Sequence, residues 1–256
     1  MALKLSLNHE TIRAKDLLIP IYKEFSGPMI EEMPRLIAEI RNPMNISNVM
    51  QRRLEFIAEP FCKEHKMFKS QLALYVEENW KKFYSSEEEA LNDWNVVKFS
   101  WLDNYFDSAD SVIYDTEFMK VDLDSEILRK INPGSKINRG ALISIKDYYE
   151  ALSGIKFKIE SERTNWKLRE EIKASLFWKT VARNQDILEN YTDFVFDETK
   201  KKYNYNTAMS TYFESDITQI EMKGICLKSI YVSSEIDGRL DLDDGKSRLV
   251  GIMPAE

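Results

Sequence analysis

Glycine, cysteine and histidine are all scarce in this chain. Eight glycines in 256 residues are about half of ordinary usage, which excludes collagen-like and low-complexity chains and argues against a fold built on many glycine turns. Two cysteines, Cys62 and Cys226, are too few for a disulfide framework and read as free thiols of a reducing compartment. The two histidines, His9 and His65, are the only candidates for a Ser-His-Asp triad. Neither a Gly-x-Ser-x-Gly elbow nor a His-Glu-x-x-His helix occurs, which removes two large groups of hydrolases. No apolar run approaches the roughly 18 residues of a membrane span, and the start, Met1 to Glu10, has no signal-peptide core. The expectation is a cytoplasmic or otherwise intracellular protein, or a component of a particle assembled inside a cell, with no membrane partner.

What is present is enough for a core. Hydrophobic residues make up 43% and charged residues 31%, the balance of a globular chain. The formal net charge of −7 makes nucleic acid an unlikely partner. One segment carries the acidic excess: residues 85–135 hold 4 basic and 12 acidic residues.

Apolar periodicity near 3.6 predicts successive helices over the first 95 residues. A helix capped by Asn8 would show Leu17, Leu18, Ile21, Tyr22 and Phe25 on one face. Met29, Ile30, Met33, Ile37 and Ile40 make the next stripe, and Val49, Met50, Leu54 and Ile57 a third, capped by Ser47. Phe68, Leu72, Tyr75, Val76, Trp80 and Phe83 give the longest pattern, over 61–84. Ser86 before Glu87, Glu88 and Glu89 is a strong helix start, because a hydroxyl and an acidic first turn both suit exposed amides. Residues 96–119 fit helix or strand. Asn132-Pro133-Gly134-Ser135 is the clearest turn, a candidate boundary between a region over 1–132 and one over 133–204. Ser144 and Asp147 resemble a capping box ending at Gly154. Ile155, Phe157 and Ile159 alternate with charge as a strand; Thr164 would cap a long helix to Arg183. Ile187, Leu188, Tyr191, Phe194 and Val195 continue the helical reading. After Asn204 the period changes to two, and 238–251 reads as a hairpin turning at Asp244-Gly245. The predicted class is α+β but predominantly α: a multi-helix body with a small C-terminal antiparallel ribbon over 205–256.

Three functional readings follow. The first is a non-catalytic structural or assembly protein, of the kind found in viral or phage particles, bound to a protein partner or to its own copies. Ile217, Ile225, Leu227, Ile230 and Val232 on the ribbon are its candidate oligomer contacts, since a small ribbon gains by adding to a neighbour's sheet. The second is a Mg²⁺-dependent enzyme for a phosphate- or diphosphate-bearing substrate. Asp103, Asp107 and Asp110 fall at i, i+4 and i+7, and Asn206, Ser210 and Glu214 at i, i+4 and i+8. Each set shares one face if helical, and Asp103, Asp107, Asn206, Ser210 and Glu214 would be the ligands. The third is an acidic adaptor or inhibitor holding a basic partner through Trp101, Tyr105, Phe106 and Asp110. Two weaker signals resolve to bland readings. Cys62 and His65 supply at most half a zinc site, and Gly238-x6-Gly245-Lys246-Ser247 has two residues too many for a phosphate loop.

Overall fold

The computed structural model describes residues 22–62, 70–131, 156–162, 166–230, 234–243, 245 and 248–254. The Asn132 turn, the Ser144 capping box, Thr164, Val232, His65 and the first 21 residues lie outside the described residues. Nine strands and nine helices are numbered here among those described: β1 Tyr22–Ser26, α1 Met29–Ala38, β2 Asn42–Pro43, α2 Ile46–Leu54, α3 Gln71–Asn79, α4 Glu87–Asp103, β3 Phe106–Tyr114, β4 Phe118–Asp122, α5 Glu126–Arg129, β5 Lys156–Lys158, α6 Ile159–Glu162, α7 Arg169–Ala174, α8 Leu176–Ala182, α9 Gln185–Tyr203, β6 Met209–Tyr212, β7 Glu221–Leu227, β8 Ser234–Leu240 and β9 Arg248–Ile252.

A six-stranded sheet, ordered β5-β4-β3-β7-β8-β6, forms the centre, and a smaller sheet is ordered β1-β9-β2. All pairings are antiparallel except β6 with β8. This corrects the expectation of a mainly helical body with a C-terminal hairpin. β3 lies at the middle of the larger sheet, and all nine of its residues are buried. Val112 joins the core under α2, α4, α8 and α9, and Ile113 joins the second core with Phe25, Met29, Met33 and Leu249. A strand covered on both faces loses the polar–apolar alternation by which a strand is usually read.

The predicted hairpin is also corrected. β8 pairs with β7 and β6, whereas β9 leaves for the other sheet and pairs with β1 and β2. Tyr22 and Phe25, read as helix face, are strand residues paired to Ile252 and Leu249. A partner over two hundred residues away leaves no local mark in the sequence.

Several elements follow the sequence closely. α1 buries Met29 and Met33 of its predicted stripe, with Leu36 beside them, while Ile30 and Ile37 are half-buried and Ile40 lies exposed beyond the helix end. Ser86 caps α4, its Oγ accepting from Glu89 N at 3.1 Å. α9 buries Leu188, Tyr191 and Val195, and β5 alternates as expected. α2 is capped two residues earlier than expected, by Asn45 in a reciprocal pair with Asn48. The expected helix ending at Arg183 is two short ones, broken at Ser175, whose hydroxyl caps α8. Among the described residues no helix is long and apolar enough to cross a membrane.

Candidate functional site

The strand assignment of β3 and β6 separates the five predicted metal ligands. Asp103 ends α4, exposed, and accepts from Ser229 Oγ at 3.3 Å. Asp107, on β3, is buried and accepts from the Arg248 backbone N–H. Asn206 lies in the loop after α9, where its Oδ1 accepts from Lys200 Nζ at 2.9 Å. Ser210 is buried on β6. The carboxylate of Glu214, beyond the end of β6, stands 3.9 Å from Lys223. Two strands, β7 and β8, lie between β3 and β6, so Asp107 and Ser210 are about 14 Å apart at ordinary strand spacing. The helical faces that would bring these carboxylates together do not form.

The acidic aromatic segment is largely interior. Trp101 stacks on Phe106 with ring centroids 4.7 Å apart, and both are fully buried; Tyr105 is half-buried. Asp110 is a buried hub on the irregular stretch of β3. Its carboxylate accepts from Ile46 N at 3.0 Å and Asp124 N at 2.9 Å, and from both Arg183 Nη atoms. Its charge is therefore spent inside the fold. Ile217, Ile225, Leu227 and Ile230 are likewise buried in this chain's own core, the plain consequence of their apolar character.

The accessible features lie elsewhere, on the two flanks of α9. On one flank, an apolar platform surrounds α7, supplied by the segment before it, the start of α8 and the end of α9. Trp166, Leu168, Leu176, Tyr203 and Tyr205 are 45, 52, 54, 37 and 59% exposed. Trp166 and Leu176 line one shallow concavity with Glu171; Leu168 and Tyr205 line its neighbour with the same Glu171. The Tyr203 and Tyr205 rings stack at 5.9 Å. The segment is fixed to the sheet edge, because Lys167 N donates to Met209 O at 3.2 Å on β6. Two of its polar groups are occupied: Lys167 pairs with Glu162 at 3.3 Å, and Glu171 accepts from Leu168 N at 2.6 Å.

On the other flank, α9 and α4 wall a groove of about 880 Å³. Leu54, Ile57, Leu102, Phe194 and Ile230 supply apolar surface; Glu59, Lys98, Asp193, Asp197, Glu198, Lys201 and Lys202 carry charge along it, and Cys62 opens into it. Arg169 joins the two flanks, its guanidinium holding Asp193 at 3.1 Å and also Asp197. The groups whose titration burial displaces most clearly are interior. Burial pushes the Glu24 carboxyl up, against the pull of Arg248. Burial, then the charges of Asp107 and Asp237, pushes the Cys226 thiol well up, which leaves that thiol unreactive.

The platform was missed in the sequence because Trp166, Leu168 and Leu176 follow no helical or strand period. Three large apolar residues in a charge-rich stretch were the one signal of it.

No protein-family model matches the chain, and no curated protein matches it. A solved structure, reported for the accommodation of massive sequence variation in Nanoarchaeota by the C-type lectin fold, superposes with a TM-score of 0.57 at 11% identity, over 90% of this chain and 97% of that one. The likeness is one of fold, and it agrees with the mixed sheet described above.

Proposed function

We propose that the protein is a non-catalytic assembly component that associates with its own copies through the platform around α7. The observation that carries this is the placing of five large apolar side chains, each more than a third exposed, around α7, four of them lining two adjoining concavities that share Glu171. Exposed apolar surface of that kind marks protein–protein contact, and aromatic residues are enriched where such contacts form. The nanoarchaeal structure has a fold described as accommodating massive sequence variation. That supports a division of labour in which the core sets the framework and the surface is free to suit a partner.

Light scattering over a concentration series tests the reading. The parent chain should exceed its monomer mass of 30.1 kDa as concentration rises. Leu168→Glu with Leu176→Glu, at positions over half exposed, should return it to the monomer without loss of thermal stability. A parent that stays at the monomer mass throughout overturns the proposal.

A further inference from the structure

β4 carries a lysine in a place that charge ordinarily avoids. Met119 and Val121 belong to the larger core, so Lys120 between them lies on the opposite face of the sheet. Ile113 of β3, a member of the second core, stands directly across from it on one side. Lys156 of β5, exposed, stands directly across on the other. Lys120 itself is only 6% exposed.

Lysine is almost never buried without a partner. Among the described residues Lys120 and Lys223 are both buried, and the fold treats them in opposite ways. Lys223 has Asp241 at 2.8 Å, with Glu214 and Glu221 at 3.9 Å. Lys120 has no hydrogen bond or ion pair among the described residues. Asp122, two residues along the same face, acts on it only through its field. The group across the strand pair is a second cation, and like charges directly opposite disfavour each other.

Both features favour the amine over the ammonium. Removing a charge from water penalises the protonated form, and a neighbouring cation adds to the penalty. Burial therefore pulls the Lys120 ammonium below the usual lysine range; Asp122 opposes this and Lys156 reinforces it. Lys228 shows the contrast. Burial acts on it too, but its hydrogen bonds to Asp237 and Glu235 outweigh burial and hold it above that range. A lysine desolvated beside another cation is an activated nucleophile toward carbonyl groups.

We infer that Lys120 is a carbonyl-reactive amine that forms an imine with small aldehydes, and that the charge of Lys156 across the strand pair activates it. Nζ adds to the carbonyl carbon, and the resulting carbinolamine loses its hydroxyl as water. A C=N bond replaces the C=O bond, and the two amine protons leave with the oxygen. No electrons change hands, so no co-reactant is required. The slight exposure of Lys120 restricts the reaction to small carbonyl compounds. None of the five platform residues takes part, so the inference stands or falls independently of self-association.

The test is trapping with acetaldehyde and cyanoborohydride at pH 7, with the alkylated lysines of the parent chain mapped over time by mass spectrometry. Lys120 should be modified first, ahead of Lys130, whose side chain is 77% exposed. The midpoint of its rate against pH should lie below about 10.4, the ordinary lysine value. Lys156→Gln should slow trapping at Lys120 about threefold and move that midpoint up. Lys156→Arg, which keeps the charge, should leave both in place, and Asp122→Asn should move the midpoint down. Lys120→Arg should abolish the adduct at this position alone. Modification of Lys120 no sooner than Lys130, a midpoint at or above the ordinary value, or a rate indifferent to Lys156→Gln overturns the inference. Melting curves of the Lys156 variants separate a changed rate from a loosened fold.

Discussion

Arg183 and Asp110 form the tie that locks the helical layer to the centre of the sheet. Nη2 of Arg183 stands 2.5 Å from Oδ1 of Asp110, and the guanidinium also reaches Asp124 at 3.1 Å. Arg183 ends α8 in the left-handed region, at φ 57°. Asp110 is fully buried, and it also accepts the N–H of Ile46 at the start of α2.

Removing one partner of a buried charge pair leaves the other uncompensated, at a cost of about 3–5 kcal/mol. Arg183→Ala should therefore destabilise by about 3 kcal/mol in urea titrations. Arg183→Gly should cost roughly 1 kcal/mol less, because glycine relieves the left-handed backbone. Equal losses in the two variants would show that the backbone at this position carries no strain.

Arg53 is a fully buried cation whose acceptors are neutral. Its guanidinium donates to the carbonyls of Trp101 at 3.0 Å, Lys228 at 2.8 Å, Asn104 at 2.8 Å and Leu227 at 3.3 Å, and to Tyr191 Oη at 2.8 Å. One planar fork thus ties the ends of α4 and β7 and the interior of α9 to α2. Arg53→Met leaves these acceptors unpaired and should cost about 4 kcal/mol or more. Arg53→Lys, with three donors in place of five, should recover only part of it.

Gly238 marks a close approach within the sheet. A Cβ there would lie 2.7 Å from the Phe213 ring and 3.2 Å from Tyr114 Oη, and Tyr114 Oη donates to the Gly238 carbonyl at 2.6 Å. Gly238→Ala should destabilise by about 1–3 kcal/mol through overpacking, measured as a fall in Tm. An unchanged Tm would mean that the Phe213 ring moves aside freely.

Asp237 gives the stability its acid limb. Burial raises its carboxyl, but hydrogen bonds from Arg239 and Lys228 outweigh that and leave it below the ordinary 3.8. The folded state therefore holds this proton less tightly than the unfolded chain. Its contribution is complete above about pH 3.8 and is lost as pH falls through the lower folded value. Asp237→Asn should be less stable than the parent at pH 7, and the gap should close below about pH 3.8. A gap that persists at pH 2 would assign the effect to packing rather than to charge.

Much of the local structure was legible because its causes are local. Ser86 with three following glutamates announces α4, and the Met29 stripe announces α1, because both signals lie within a turn or two of the backbone they organise. The site was less legible. Trp101, Phe106 and Asp110 look like a docking surface when read in order. In the fold Trp101 and Phe106 stack on each other, and Asp110 spends its charge on backbone amides and Arg183.

By itself the sequence determined the start of α4, the Met29 and Met33 face of α1, the change of period after Asn204, and a composition poor in histidine and cysteine, all of which are properties of neighbouring residues or of composition. Only the tertiary structure decided that β3 is the doubly covered centre of a sheet and that β9 pairs with β1 rather than with β8. It also decided that α4 and α9 stand apart as walls of a groove. Those outcomes depend on hydrogen bonds and buried surface shared between segments far apart in the chain. No window of sequence contains both halves of such a contact.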